Sequence, residues 1–77
     1  MDVDNIRTLL TEGLADCQVE MAAEGNKLSV RLVSPDFAGL NRVKRQQRVY
    51  ALLNDLISSG EIHAVSMQTF TPEEVDG

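Results

Sequence analysis

The chain holds one imidazole, His63, and one thiol, Cys17. These are the two side chains best suited to a borderline or soft metal, and side by side they could form a nucleophile–base dyad. Neither has a neighbour at ligand spacing. Taken alone, His63 is explained at least as well by a strand histidine bonded to a carbonyl or carboxylate. A third chemistry lies in "RVKRQQR", where Arg42, Lys44, Arg45 and Arg48 gather four of the seven basic residues. Such a cluster could meet a phosphate, an acidic surface, or an acidic mate within the chain. Asp36, Glu73 and Glu74 stand in polar surroundings with no partner evident from spacing. No Ser/His/Asp set, CxxC pair, phosphate loop or HExxH motif occurs, and the chain does not read as an enzyme.

The elements that must position these groups are few. Seventy-seven residues make a single domain, which buries about 60% of its unfolded surface and has little room for an enclosed substrate cavity. Apolar residues make up 43% of the chain and aromatics 4%, so the core must be aliphatic. The net charge is −5 although one segment is basic, which disfavours general polyanion binding. A single cysteine cannot form an internal disulfide. Nothing resembles a secretory leader or a membrane span, and the expectation is a soluble cytoplasmic protein.

Asp2 and Asp4 can cap a helix over residues 3–14 carrying Ile6, Leu9, Leu10 and Leu14 at helical spacing, with Gly13 where it frays. Period-two alternation follows in Cys17, Val19 and Met21 and again in Leu28, Val30 and Leu32. Between them "EGNK", residues Glu24, Gly25, Asn26 and Lys27, supplies a hairpin turn. Pro35 ends the second strand, and one helical turn carrying Phe37 stops at Gly39. A long helix follows from Asn41, with an apolar stripe of Val43, Gln47, Tyr50, Leu53 and Ile57, widened by Val49, Leu52 and Leu56, and a stop at Gly60. Its cations crowd the N-terminal half, the wrong end for the helix macrodipole. A last strand places His63, Val65, Met67 and Thr69 on one side and Ile62, Ala64, Ser66 and Gln68 on the other. The order is αββααβ: an α+β domain with a three-stranded sheet and helices on one face, ordered over about 3–71 with a frayed tail.

"VRLVSPDFAGLNRVKRQQRVYALL" followed by "IHAVSMQTFTPEE" resembles the BolA family, in its IbaG-like branch, over roughly residues 28–74. The resemblance implies a fold similar to a class II KH domain. It also implies a partnership with a CGFS-type monothiol glutaredoxin, in which glutaredoxin, glutathione and the BolA-like protein hold a bridging 2Fe–2S cluster. The family's histidine ligand falls on His63, and the turn Glu24–Lys27 is expected beside the cluster. No cofactor is expected in the isolated chain, and a monomer or weak homodimer is expected alone.

The sequence departs from the family pattern twice. Many IbaG-like sequences carry a second histidine in the hairpin turn; Lys27 stands there, and an ammonium cannot bind iron. Cys17 precedes it by a whole strand and reads as a structural thiol. Val75 replaces a tryptophan common after "TPEE". The alternative class is a nucleic-acid-binding regulator, stress-related and transcriptional, that uses Arg42, Lys44, Arg45 and Arg48 on DNA. It lacks a GxxG loop, since "GLNR" holds only Gly39.

Overall fold

The computed structural model describes residues 1–76. Asp2 caps the first helix, α1 (Val3–Gly13), by accepting from the Asn5 N–H at 3.0 Å. Its apolar positions Ile6 and Leu10, with Leu14 just beyond, are buried against the sheet. Gly13 has a packing reason as well as a terminating one. A Cβ built there would run into the side chain of Leu52, so the missing side chain lets α1 approach the long helix closely.

Two strands, β1 (Gln18–Glu24) and β2 (Lys27–Val33), pair antiparallel from Gln18 opposite Val33 to Glu24 opposite Lys27. The expected hairpin is therefore present, with β1 starting one residue after Cys17. Only Gly25 of its two central residues has positive φ, at 60°, the requirement of a type II′ turn. Ser34 then caps a 3₁₀ turn over Pro35–Phe37: its Oγ accepts from Asp36 N–H at 3.1 Å and donates to the Ala15 carbonyl at 2.6 Å. Phe37 is driven fully into the core.

Asn41 caps the long helix α2 (Arg42–Ser58), accepting from Lys44 N–H at 2.9 Å. The expected face is buried through Val49 and Leu53, but two of its members are not. Val43 is 60% exposed and Tyr50 41%, while Val49 and Leu53 are inaccessible. Arg45, four residues before Val49, lies on the same side and turns its side chain inward onto the Leu40 and Thr69 carbonyls, while Val43 and Tyr50 face solvent.

After Gly60 (φ 83°) the chain bends, and Ile62 N–H donates to the Leu56 carbonyl at 3.1 Å. Ile62 is buried in the core rather than sharing the exposed side with Ala64 and Ser66. The third strand, β3 (Ala64–Phe70), begins one residue after His63 and pairs parallel with β2, from Lys27 opposite Ala64 to Val33 opposite Phe70. Sheet order is β1-β2-β3, so β2 is central and both neighbours are edges.

The tail expected to fray is instead a helix, α3 (Pro72–Asp76). Thr71 Oγ1 accepts from Glu74 N–H at 3.3 Å and Glu74 Oε1 accepts from Thr71 N–H at 2.7 Å, a reciprocal capping box with proline at the first helical position. The α+β class, the three-stranded sheet and its helix-covered face agree with expectation. One core joins Ile6, Leu10 and Leu14 to Leu28, Val30 and Leu32, and to Phe37, Val49, Leu53 and Ile62. The opposite sheet face, with Ser29, Ser66 and Gln68, is exposed.

Candidate functional site

The hairpin turn and the approach to β3 meet at one end of the sheet. His63 N–H donates to the Asn26 carbonyl at 2.8 Å, and the next residue, Ala64, lies opposite Lys27. The structure thus brings Glu24, Gly25, Asn26, Lys27 and His63 together, although 35 residues of chain separate Lys27 from His63. The parallel pairing of β2 with β3 is the cause, since it carries the start of β3 back to the start of β2.

His63 is exposed, and its ring forms no hydrogen bond among the described residues. The imidazole lies across Gly60, with Nε2 at 3.4 Å from the place where a Cβ on that residue would stand. Gly60 adopts the left-handed turn after α2, and the ring lies at ordinary contact distance from where its Cβ would stand. A main chain fixed by one hydrogen bond beneath a solvent-facing imidazole is suited to offering a nitrogen to another molecule.

Cys17 is at the other end. It precedes Gln18, which pairs with Val33, and a seven-residue strand of roughly 3.3 Å per residue separates it from the turn by about 20 Å. The thiol is half-buried against the core, and burial raises its pKa, opposed by a hydrogen bond from the Val33 backbone and reinforced by the nearby Asp36 charge. No dyad with His63 is possible at this separation. Among the described residues no group of three or more His, Cys, Asp or Glu is placed to hold a metal ion.

The basic cluster does not act as one surface. Arg45 is 13% exposed and holds four oxygen contacts: Leu40 O at 2.9 Å, Thr69 O at 3.1 Å, and the two Glu74 carboxylate oxygens at 2.7 and 3.2 Å. Its guanidinium and the Thr71 N–H hold the Glu74 carboxyl at a pKa of about 2. Arg48 reaches Asp36 at 3.2 Å, and the same carboxylate accepts from Ala15 N–H at 2.9 Å. Two of the three acidic groups without an evident partner in sequence, Asp36 and Glu74, are thus the internal mates of two cations. Arg42 and Lys44 are exposed and form no ion pair among the described residues.

Residues 12–74 match the family model described as BolA-like protein. The acid stress protein IbaG of Escherichia coli (strain K12) is 36% identical over 74 residues, covering 96% of this chain and 88% of that protein. The DNA-binding transcriptional regulator BolA of Haemophilus influenzae is 46% identical over 43 residues, covering 56% of this chain and 41% of that one. Among solved structures, a bolA protein homologue from Coxiella burnetii superposes with a TM-score of 0.85 at 27% identity, covering 100% of this chain and 99% of that one.

Proposed function

The chain belongs to the BolA-like protein family, in its IbaG-like branch, and within it we propose the role of an adaptor that docks on a monothiol glutaredoxin and shares a 2Fe–2S cluster with it. The observation that carries this reading is His63: an exposed, unbonded imidazole whose main chain is fastened to the hairpin turn. Among the described residues no group of three or more candidate ligands is placed together, and in this reading the other ligands come from the partner and from glutathione. A histidine in place of a thiolate raises the potential of such a centre and gives it a ligand that a proton can displace.

Each residue at this end of the sheet has a defined part. His63 supplies the ligand nitrogen. Asn26 holds the main chain of His63 from the turn, and Gly60 makes the left-handed bend that leads from α2 to it. Lys27 provides positive charge beside the site and takes no part in ligation, which suits contact with an anionic group such as a glutathione carboxylate. Cys17 is too far away to serve as the second protein ligand.

The test is a titration of cluster-loaded CGFS glutaredoxin and glutathione with this protein, followed by visible absorption and circular dichroism. Wild type should change the cluster's spectrum and His63→Ala should leave it unchanged. A spectrum indifferent to the wild-type protein sinks the reading.

Nucleic-acid binding is a second reading, supported by similarity to the Haemophilus DNA-binding transcriptional regulator and by Arg42 and Lys44, which form no ion pair among the described residues. The ion pairs of Arg45 and Arg48 leave it two free cations on α2, from which a shallow salt dependence would follow.

A further inference from the structure

The two edges of the sheet are guarded differently. A free edge strand offers unpaired N–H and C=O groups, and charged residues commonly protect it. On β1, Glu20 and Glu24 provide that charge, and the Arg7 guanidinium covers the Val19 carbonyl at 3.0 Å. On β3 the sequence "AVSMQTF" contains no charge, no proline and no glycine. Its backbone orientation follows from two hydrogen bonds. The Phe70 carbonyl accepts from Ser34 N–H at 2.9 Å, so Phe70 faces β2; the Thr69 carbonyl accepts from Arg45 Nη1 at 3.1 Å, so Thr69 faces away. Alternation along the strand then turns the N–H and C=O of Met67 and Val65 outward as well. Arg45 caps Thr69, but no described residue bonds the outward groups of Met67 or Val65.

Arg42 supplies the second observation. It borders the groove between the first turn of α2 and β3, alongside Gln46, Met67 and Thr69. It also borders the shallow depression on the open sheet face, alongside Ser29, Ser66 and Gln68. The same side chain therefore lies beside both surfaces flanking the β3 edge, and it has no acidic mate among the described residues. A strand laid on this edge would send alternate side chains to those two surfaces, with a guanidinium available on either.

We propose that the β3 edge receives an extended acidic segment of a partner protein by strand addition, its backbone pairing with Val65 and Met67 and a carboxylate meeting Arg42. Main-chain hydrogen bonds supply the affinity in this mode and side chains select the partner. Arg45 and Glu74 close the groove at the Thr69 end and set the register, because the added strand cannot extend past an occupied carbonyl.

The experiment is an amide-resolved NMR titration of the full chain with a short blocked peptide alternating valine and glutamate, to about 1 mM, the weak end of measurable affinity. The Val65 and Met67 amides should shift and become protected from hydrogen exchange, with β1 unaffected. Arg42→Gln should weaken binding about threefold, the scale of an exposed ion pair, and a peptide with lysine for glutamate should bind less well than the acidic one. Silence at Val65 and Met67, a response centred on β1, or binding indifferent to Arg42→Gln or to peptide charge would overturn the proposal. Failure of the glutaredoxin reading, which depends on His63, leaves this test unchanged.

Discussion

The His63 N–H and the Asn26 carbonyl, 2.8 Å apart, fasten the approach to β3 onto the tip of the β1–β2 hairpin. The position of the imidazole thus depends on a turn that lies 37 residues earlier in the chain. Gly25 makes that turn possible, since its φ of 60° disfavours any residue with a Cβ.

Gly25→Ala should therefore act at a distance. No atom lies within 4 Å of the added methyl, so the cost is conformational, about 1–2 kcal/mol for a left-handed residue. Amide exchange at His63 should accelerate while the core amides of β2 slow or quicken only with global stability. Chemical denaturation together with site-resolved exchange separates the two effects.

His63→Ala should change stability by less than about 0.5 kcal/mol, because the ring is exposed and unbonded. Its thermal midpoint should match wild type even where cluster spectroscopy shows complete loss of response.

Arg45→Met should be costly and Arg48→Met mild. The first strands the Leu40 and Thr69 carbonyls and frees Glu74, a loss of roughly 1–3 kcal/mol. Arg48 is 44% exposed and its pair with Asp36 is worth less than about 1 kcal/mol. Urea midpoints of the two variants should rank accordingly.

The Glu74 carboxyl, held at a pKa of about 2 against its ordinary 4.5, gives α3 an acid-resistant anchor. Because the folded pKa is the lower one, its contribution is fully present above pH 4.5. It declines as pH falls below that and is gone below about 2. A carbon-detected NMR titration of the Glu74 carboxyl, with the Thr71 amide as a second reporter, should place the midpoint near the lower figure. Glu74→Gln should remove the dependence.

Cys17→Ser should leave the glutaredoxin response intact, since the thiol is a whole strand from His63. The raised thiol pKa further predicts alkylation by iodoacetamide more slowly than in the urea-unfolded chain at the same pH.

Periodicity was enough to read α1, the hairpin and β3, because each buries one face and so alternates or repeats cleanly. On α2 it found Val49 and Leu53 but also counted Val43 and Tyr50, which are exposed, and missed the inward-turned stem of Arg45, whose hydropathy hides it. The α3 helix was legible in "TPEE" as a capping box, but the polar composition suggested a tail. At the site, His63 and the turn could each be picked out, whereas their contact could not: it follows from a parallel pairing, and parallel order leaves no local mark in sequence. For the same reason the mates Asp36 and Glu74 looked solitary.

The parallel crossover has a further consequence, for the order of assembly. The hairpin closes through a two-residue turn, a microsecond event, whereas β3 must find β2 across more than 30 residues of intervening chain. The edge that carries His63 is then the last piece of the sheet to seat. A nascent or partly folded chain would hold its turn ready but have no imidazole beside it, so the binding end of the molecule comes into being only as folding finishes.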